Sequence, residues 1–160
     1  MVKHKNKSGK VLLKFNKEIE DKIVNDLYQS LKKSHFIKSF RYRKAKNQDK
    51  ATWMLAKEMI NDTDEVIHTR MIMEKIRTQL VKDKLARFVD DGVVKKIVNQ
   101  KEAMRNHGYT VQVGVMVGAK LLLRGRIASI RKGIPGQNEM IYYTIIMQLV
   151  GIETSKILWT

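Results

Sequence analysis

The 160-residue sequence predicts an α+β fold in which a helical N-terminal half precedes an antiparallel β-meander. Three observations carry that expectation. Apolar residues recur at helical spacing over about 17–33, 51–60 and 64–90, and the period changes to two beyond Gly92. Hydrophobic residues make up 43% of the chain, enough for a core although Lys and Arg number 32 against 16 Asp and Glu. This length fits a single domain.

Residues 1–15 read as a basic, flexible arm, because Lys3, Lys5, Lys7 and Lys10 are separated by polar residues and have no apolar face to bury. Residues 16–160 then form one α+β domain. Asn16 is suited to cap a helix over about 17–33, whose apolar stripe is Ile19, Ile23, Val24, Leu27 and Leu31. The alternation of Phe36, Phe40 and Tyr42 with Ile37, Arg41 and Arg43 predicts a short extended strand over 35–42. Trp53, Met54, Leu55, Met59 and Ile60 predict a helix over 51–60. Asp62 with Glu65 resembles a capping box that opens a helix over 64–90, long enough to break near Thr69 or Thr78 and closed by Gly92 as a C-terminal cap.

Strands are expected over 93–98, 109–117, 121–131 and 139–150, with a polar loop over 99–108 and a turn at Gly133 to Gln137. An odd-length connection at Gly118 to Lys120 pairs Val117 with Leu121, Val115 with Leu123 and Val113 with Gly125. Arg124 and Arg126 then emerge together on the wetter face. The strand from Met140 to Val150 is apolar on both faces and needs covering on both. The element order resembles that of winged-helix domains, which implies nucleic-acid binding with the loop of Lys101, Arg105 and His107 as the wing. The two long final strands exceed that order.

The net charge of +16 is uneven: residues 1–50 carry +10, residues 51–100 carry +1 and residues 101–160 carry +5. A polyanionic partner follows from it. There is no Cys, which excludes disulfides and thiolate zinc sites. His4, His35, His68 and His107 fall in four segments without metal-ligand spacing, and no nucleophile motif or phosphate loop is present. Asp90 and Asp91 read as a solvated pair, and no metal or cofactor is expected.

The expected function is therefore non-enzymatic binding of nucleic acid, DNA or RNA, through phosphate contacts. Lys38, Arg41, Arg43, Lys44 and Lys46 form one basic ridge, with Phe40 and Tyr42 available to stack on bases. Arg70, Arg77 and Lys84 form a helical stripe, and Arg124 and Arg126 a third surface. The alternative is an assembly subunit of a virion, phage tail or other large complex, self-associating through its long strands. No run is apolar enough to span a membrane, so no membrane contact is expected; the place expected is the cytoplasm or nucleoid, or the virion in the alternative.

Overall fold

The structure, a computed structural model, describes residues 2–4, 15–39, 52–94, 113–134 and 136–160. It is α+β: two helices, α1 (Lys17–Lys32) and α2 (Thr69–Lys82), lie against a seven-stranded mixed sheet. The strands are β1 (Val2–His4), β2 (Thr52–Leu55), β3 (Ile60–Asp62), β4 (Arg87–Phe88), β5 (Leu121–Lys132), β6 (Met140–Gly151) and β7 (Ile157–Trp159).

The frame of the sheet is the antiparallel hairpin β5–β6, twelve residues on each side, in continuous register from Leu121 opposite Gly151 to Lys132 opposite Met140. Gly133 opens its turn at φ +106, where a Cβ would collide with the Asn138 carbonyl, so the tight reversal requires glycine. Strands β2 and β3 lie one after the other along the free edge of β5, both parallel to it, and β4 lies beyond β2. On the far edge of β6, β1 pairs at Ile141 to Tyr143 and β7 at Leu149 and Val150. Thus Val2–His4, within the segment read as an arm, is an edge strand of the sheet.

Side-chain alternation divides the hairpin into two faces. Odd-numbered residues, among them Leu121, Leu123, Ile127, Ile141, Tyr143, Met147 and Leu149, face the helices and join the main core. That core is completed by Ile19, Ile23, Tyr28 and Leu31 of α1 and by Ile72, Met73, Ile76 and Leu80 of α2. The cap on α1 is as expected: Asn16 Oδ1 accepts from the Ile19 N–H at 2.9 Å, with Glu18 and Glu20 in the first turn complementing the helix dipole. The Tyr28 hydroxyl donates to the Asp83 carboxylate just past α2, and Lys75 reaches Glu20 at 2.8 Å, so α1 is tied near both its ends to the middle and the C-terminal end of α2. That hydrogen bond to Glu20 is the chief reason the Lys75 ammonium is held above its usual range.

Several expected elements are corrected. Residues 35–39 form a helical turn rather than a strand, and 40–42 lie outside the described residues. The helix expected over 51–60 is replaced by β2 and β3. Its apolar run misleads because β2 is covered on both faces: Trp53 enters the main core, while Met54 enters a second cluster with Val94, Val113, Ala119, Leu122 and Ile152. A strand covered on both sides shows no period of two, and its run cannot be told from a buried helix.

The helix expected over 64–90 shortens to α2, because Lys84 takes φ +56 and turns the chain into β4. Glu65 does not cap it; His68 stands at the cap position without a side-chain bond. Gly92 is not a C-terminal cap but the second residue of a helical turn over 91–94, whose start is capped by Asp90 Oδ1 accepting from the Gly92 N–H at 2.7 Å. The strand expected over 93–98 is accordingly helical at 93 and 94, and 95–98 lie outside the described residues.

Of the strand expected over 109–117, the described part, 113–117, is helical at 113–116 and a turn at 117. Gly118 at φ +74 closes it: its N–H bonds the Val115 carbonyl and the Ala119 N–H the Gly114 carbonyl, the paired bonds of a left-handed helix terminus. No hairpin forms there. Leu121, Leu122 and Leu123 pair instead with Trp53, Met54 and Leu55. The register expected at Gly118 is overturned, although its consequence for Arg124 and Arg126 holds. Val115 is 53% exposed, so Val115→Asp is expected to change stability by less than about 0.5 kcal/mol in a urea titration. The parallel pairs also end the likeness to a winged-helix order.

Glu65 has another task. Its carboxylate accepts from the Phe15 N–H at 2.6 Å and from the Tyr143 hydroxyl, and the Phe15 ring stands edge-on to Tyr143 at 5.5 Å. Burial, and then the bond to Glu65, push the Tyr143 hydroxyl above its ordinary range. The folded chain therefore favours the protonated form. Its stabilising contribution is complete below the ordinary tyrosine value of about 10 and is lost as the pH rises beyond it. In urea titrations, Tyr143→Phe is expected to cost about 1–3 kcal/mol at neutral pH and to flatten the loss of stability above about pH 10.

Candidate functional site

Even-numbered residues of the hairpin make the outer face. Its cross-strand pairs are Arg124 with Gln148, Arg126 with Ile146, Ala128 with Thr144, Ile130 with Tyr142 and Lys132 with Met140. Strand β3 sets Ile60 beside Arg126 and Asp62 beside Ala128 on the same side. Met54, Leu122 and the second cluster cover one end of this face. Beyond it the face opens: Ile60, Ile130 and Ile146 are 54%, 51% and 47% exposed.

Ile60, Arg124, Gly125, Arg126, Ile146 and Gln148 line a half-open cleft of about 380 Å³. Gly125 matters because a Cβ there would meet the Met59 methyl at 2.7 Å, so the strand lies directly on Met59. The Arg124 Nε donates to Gln148 Oε1 at 3.2 Å, and the Arg126 Nε lies 3.2 Å from Asp62 Oδ2. Lys132 Nζ stands 5.6 Å above the Tyr142 ring. Isoleucines on an otherwise solvated sheet face, rimmed by guanidinium groups, have the composition of a docking surface: apolar anchors inside a charged rim. Among the described residues there is no group of three or more His, Asp or Glu side chains able to hold a metal ion.

The site residues expected from sequence do not converge on one surface. Arg124 and Arg126 lie on this face, as the alternation predicts. Arg70 lies on α2 with Glu74 at 3.1 Å. Arg77 is clasped by both carboxylate oxygens of Asp91 at 2.7 Å, pinning α2 to the 91–94 turn. Asp91 is thus a structural anchor and Asp90 a cap, so the carboxylates read as a solvated pair have separate tasks. Lys84 is exposed in the turn after α2, and Lys38 is exposed in the 35–39 turn. Phe36 packs against Trp53 with ring centres 6.4 Å apart. Arg41, Arg43, Lys44, Lys46, Phe40 and Tyr42 lie outside the described residues. Missed from sequence were Ile60, Ile130, Ile146 and Gln148; the two-faced apolarity of 140–150 bears on Ile146 alone, and nothing in the sequence marks the others as exposed.

The domain fold is that of LpoB. The C-terminal domain of LpoB from Escherichia coli superposes with a TM-score of 0.53 at 15% identity, over 69% of this chain and 78% of that one. The corresponding domain from Salmonella enterica gives 0.52 at 14% identity, over the same shares. Lipoprotein GNA1162 from Neisseria meningitidis gives 0.50 at 15%, over 68% of this chain and 77% of that one. Residues 19–160 match the family described as peptidoglycan-synthase activator LpoB, and the chain belongs to that family. No curated protein matches its sequence.

Family membership overturns the functional expectations drawn from charge. The family is described by its action on a peptidoglycan synthase, so nucleic acid, whether DNA or RNA, is replaced by protein as the partner class. The rival reading, a subunit of a virion, phage tail or other large assembly, falls with it. So do the cytoplasm, the nucleoid and the virion as the expected places of action, since peptidoglycan is built outside the cytoplasmic membrane. A net charge of +16 reports attraction to anions and does not say which anion carries the biology.

Proposed function

We propose that this chain is a non-enzymatic activator of a peptidoglycan synthase, acting on the wall side of the cytoplasmic membrane through the outer face of β5 and β6. The observation that carries the choice of face is the exposure of Ile60 and Ile146 beside Arg124 and Arg126, with Ile130 exposed further along the same face. The complementary surface on the synthase is apolar at its centre and acidic at its rim. Attraction to the basic chain steers the encounter, and desolvation of the isoleucines holds the complex. Activation requires that this surface bind the active state of the synthase more tightly than the resting one.

The test is glycan-chain polymerisation by the purified synthase of the same organism, with and without this chain. A saturable rise in rate is expected. Ile146→Asp, at a half-exposed position, should leave the fold intact and shift the half-activating concentration by about tenfold or more. No rise with the unaltered chain would contradict the function; equal potency of the variant would contradict the face.

A further inference from the structure

The outer face is interrupted beside Arg124. Strand β2 runs along β5 as far as Leu123, where the Ala56 N–H bonds the Leu123 carbonyl, and β3 resumes the pairing at Arg126. Over 56–59 the chain leaves the edge of β5, and Met59 turns to the helix side to join the main core beneath Gly125. The cleft of about 380 Å³ is lined at this seam. Its volume lies in the lower part of the range of small-molecule sites, about 300–1,000 Å³.

Polar and apolar groups are sorted within it. Arg124 and Gln148, both half-buried, form the inner row, and Arg126 in the outer row has exposed Ile60 on one side and exposed Ile146 on the other. Each guanidinium is oriented through its Nε, Arg124 by Gln148 Oε1 and Arg126 by Asp62 Oδ2, both at 3.2 Å. Arg grips a carboxylate most strongly through the paired N–H groups of its fork. The two residues stand about 7 Å apart along β5, within reach of one anion. Because Gln148 Oε1 accepts from Arg124, the other end of that amide is a donor. Cross-strand pairing alone accounts for the two polar contacts as solvated surface pairs. It leaves unexplained why isoleucines flank Arg126 over a concave seam.

We propose that the cleft binds the C-terminal residue of a peptide. The α-carboxylate lies between Arg124 and Arg126, the carbonyl of the preceding amide accepts from the Gln148 side chain, and a small apolar side chain rests between Ile60 and Ile146. Two guanidinium charges against the one carboxylate of Asp62 leave a single positive charge, which one carboxylate neutralises. Two sources offer this chemistry: the C-terminus of a protein, built of L-residues, and the short peptides of the cell wall, which end in D-residues. The site lies on the face proposed for docking but stands without that reading, because its test uses this chain alone.

The probes are N-acetyl-L-alanyl-L-alanine, N-acetyl-D-alanyl-D-alanine and the C-terminal amide of each, titrated into the isotope-labelled full chain and followed by amide chemical shifts. At least one of the two acids should saturate at roughly millimolar concentration, with shifts centred on Gly125, Arg126 and Ile146, and the preferred chirality names the source. Replacing the carboxylate by an amide should weaken binding by about tenfold or more, and so should Arg124→Gln. Lys132→Gln removes the same charge from the same face outside the cleft and should leave binding within about twofold. No saturable shift with either acid, equal binding of acid and amide, or equal weakening by the Arg124 and Lys132 variants would each overturn the proposal.

Discussion

Trp53→Ala is expected to destabilise the chain by about 3–5 kcal/mol, the largest single effect foreseen outside the binding surface. The indole is 0% exposed and sits between Phe36 and Phe88, with ring centres 6.4 Å and 5.6 Å away. It also anchors β2, the strand that joins β4 to β5, so a cavity there loosens two strand pairs at once. Urea unfolding followed by far-ultraviolet circular dichroism measures it. Val66→Ala, at a position 92% exposed, is the control and should shift stability by less than about 0.5 kcal/mol. A loss below about 1 kcal/mol for the tryptophan variant would contradict the two-sided burial of β2.

The second large effect is on function. The double variant Arg124→Glu with Arg126→Glu is expected to weaken binding to the synthase by several kcal/mol, a hundredfold or more, because it sets like charges against the acidic rim. Folding should survive. Arg126 is 56% exposed on its side chain and its pair with Asp62 is a surface ion pair, so about 1 kcal/mol or less is at stake in stability. Binding of the labelled variant to immobilised synthase, at two salt concentrations, separates the two effects: unaltered chain should lose affinity as salt rises, and the variant should depend on salt far less.

The sequence made legible those elements whose burial is one-sided. Helix α1 shows its cap at Asn16 and its stripe from Ile19 to Leu31 because one face meets the core and the other meets water. The long strands β5 and β6 were recognisable from their length and their bounding glycines, and the outward placement of Arg124 and Arg126 followed from alternation. Strand β2 was not legible, since Trp53 and Met54 are buried on opposite faces and leave no polar partner to mark a period. The pairing partner of β5 was misjudged for a different reason. Val113 and Val115 alternate with polar or small neighbours, yet Gly114 lets the Ile152 side chain approach to 2.6 Å from where a Cβ would stand, and tertiary contact with Ile152 favours a helical turn.

The candidate surface was half legible for a related reason. Charge is visible in any sequence, and it drew attention to Arg70, Arg77 and Lys84, of which Arg77 is consumed by Asp91. Exposed apolar side chains cannot be distinguished from buried ones without the fold. Ile60, Ile130 and Ile146 read as core until the sheet shows α1 and α2 packed against its other face.

The measurement that tests this account most directly is amide chemical-shift mapping of the isotope-labelled chain during titration with the synthase. Perturbations are expected to concentrate at Ile60, Arg124, Arg126, Ile130 and Ile146 on the outer face of β3, β5 and β6. Perturbations confined to the solvent sides of α1 and α2, around Lys22, Asp26 and Thr78, with the outer face unchanged at saturation, would contradict it.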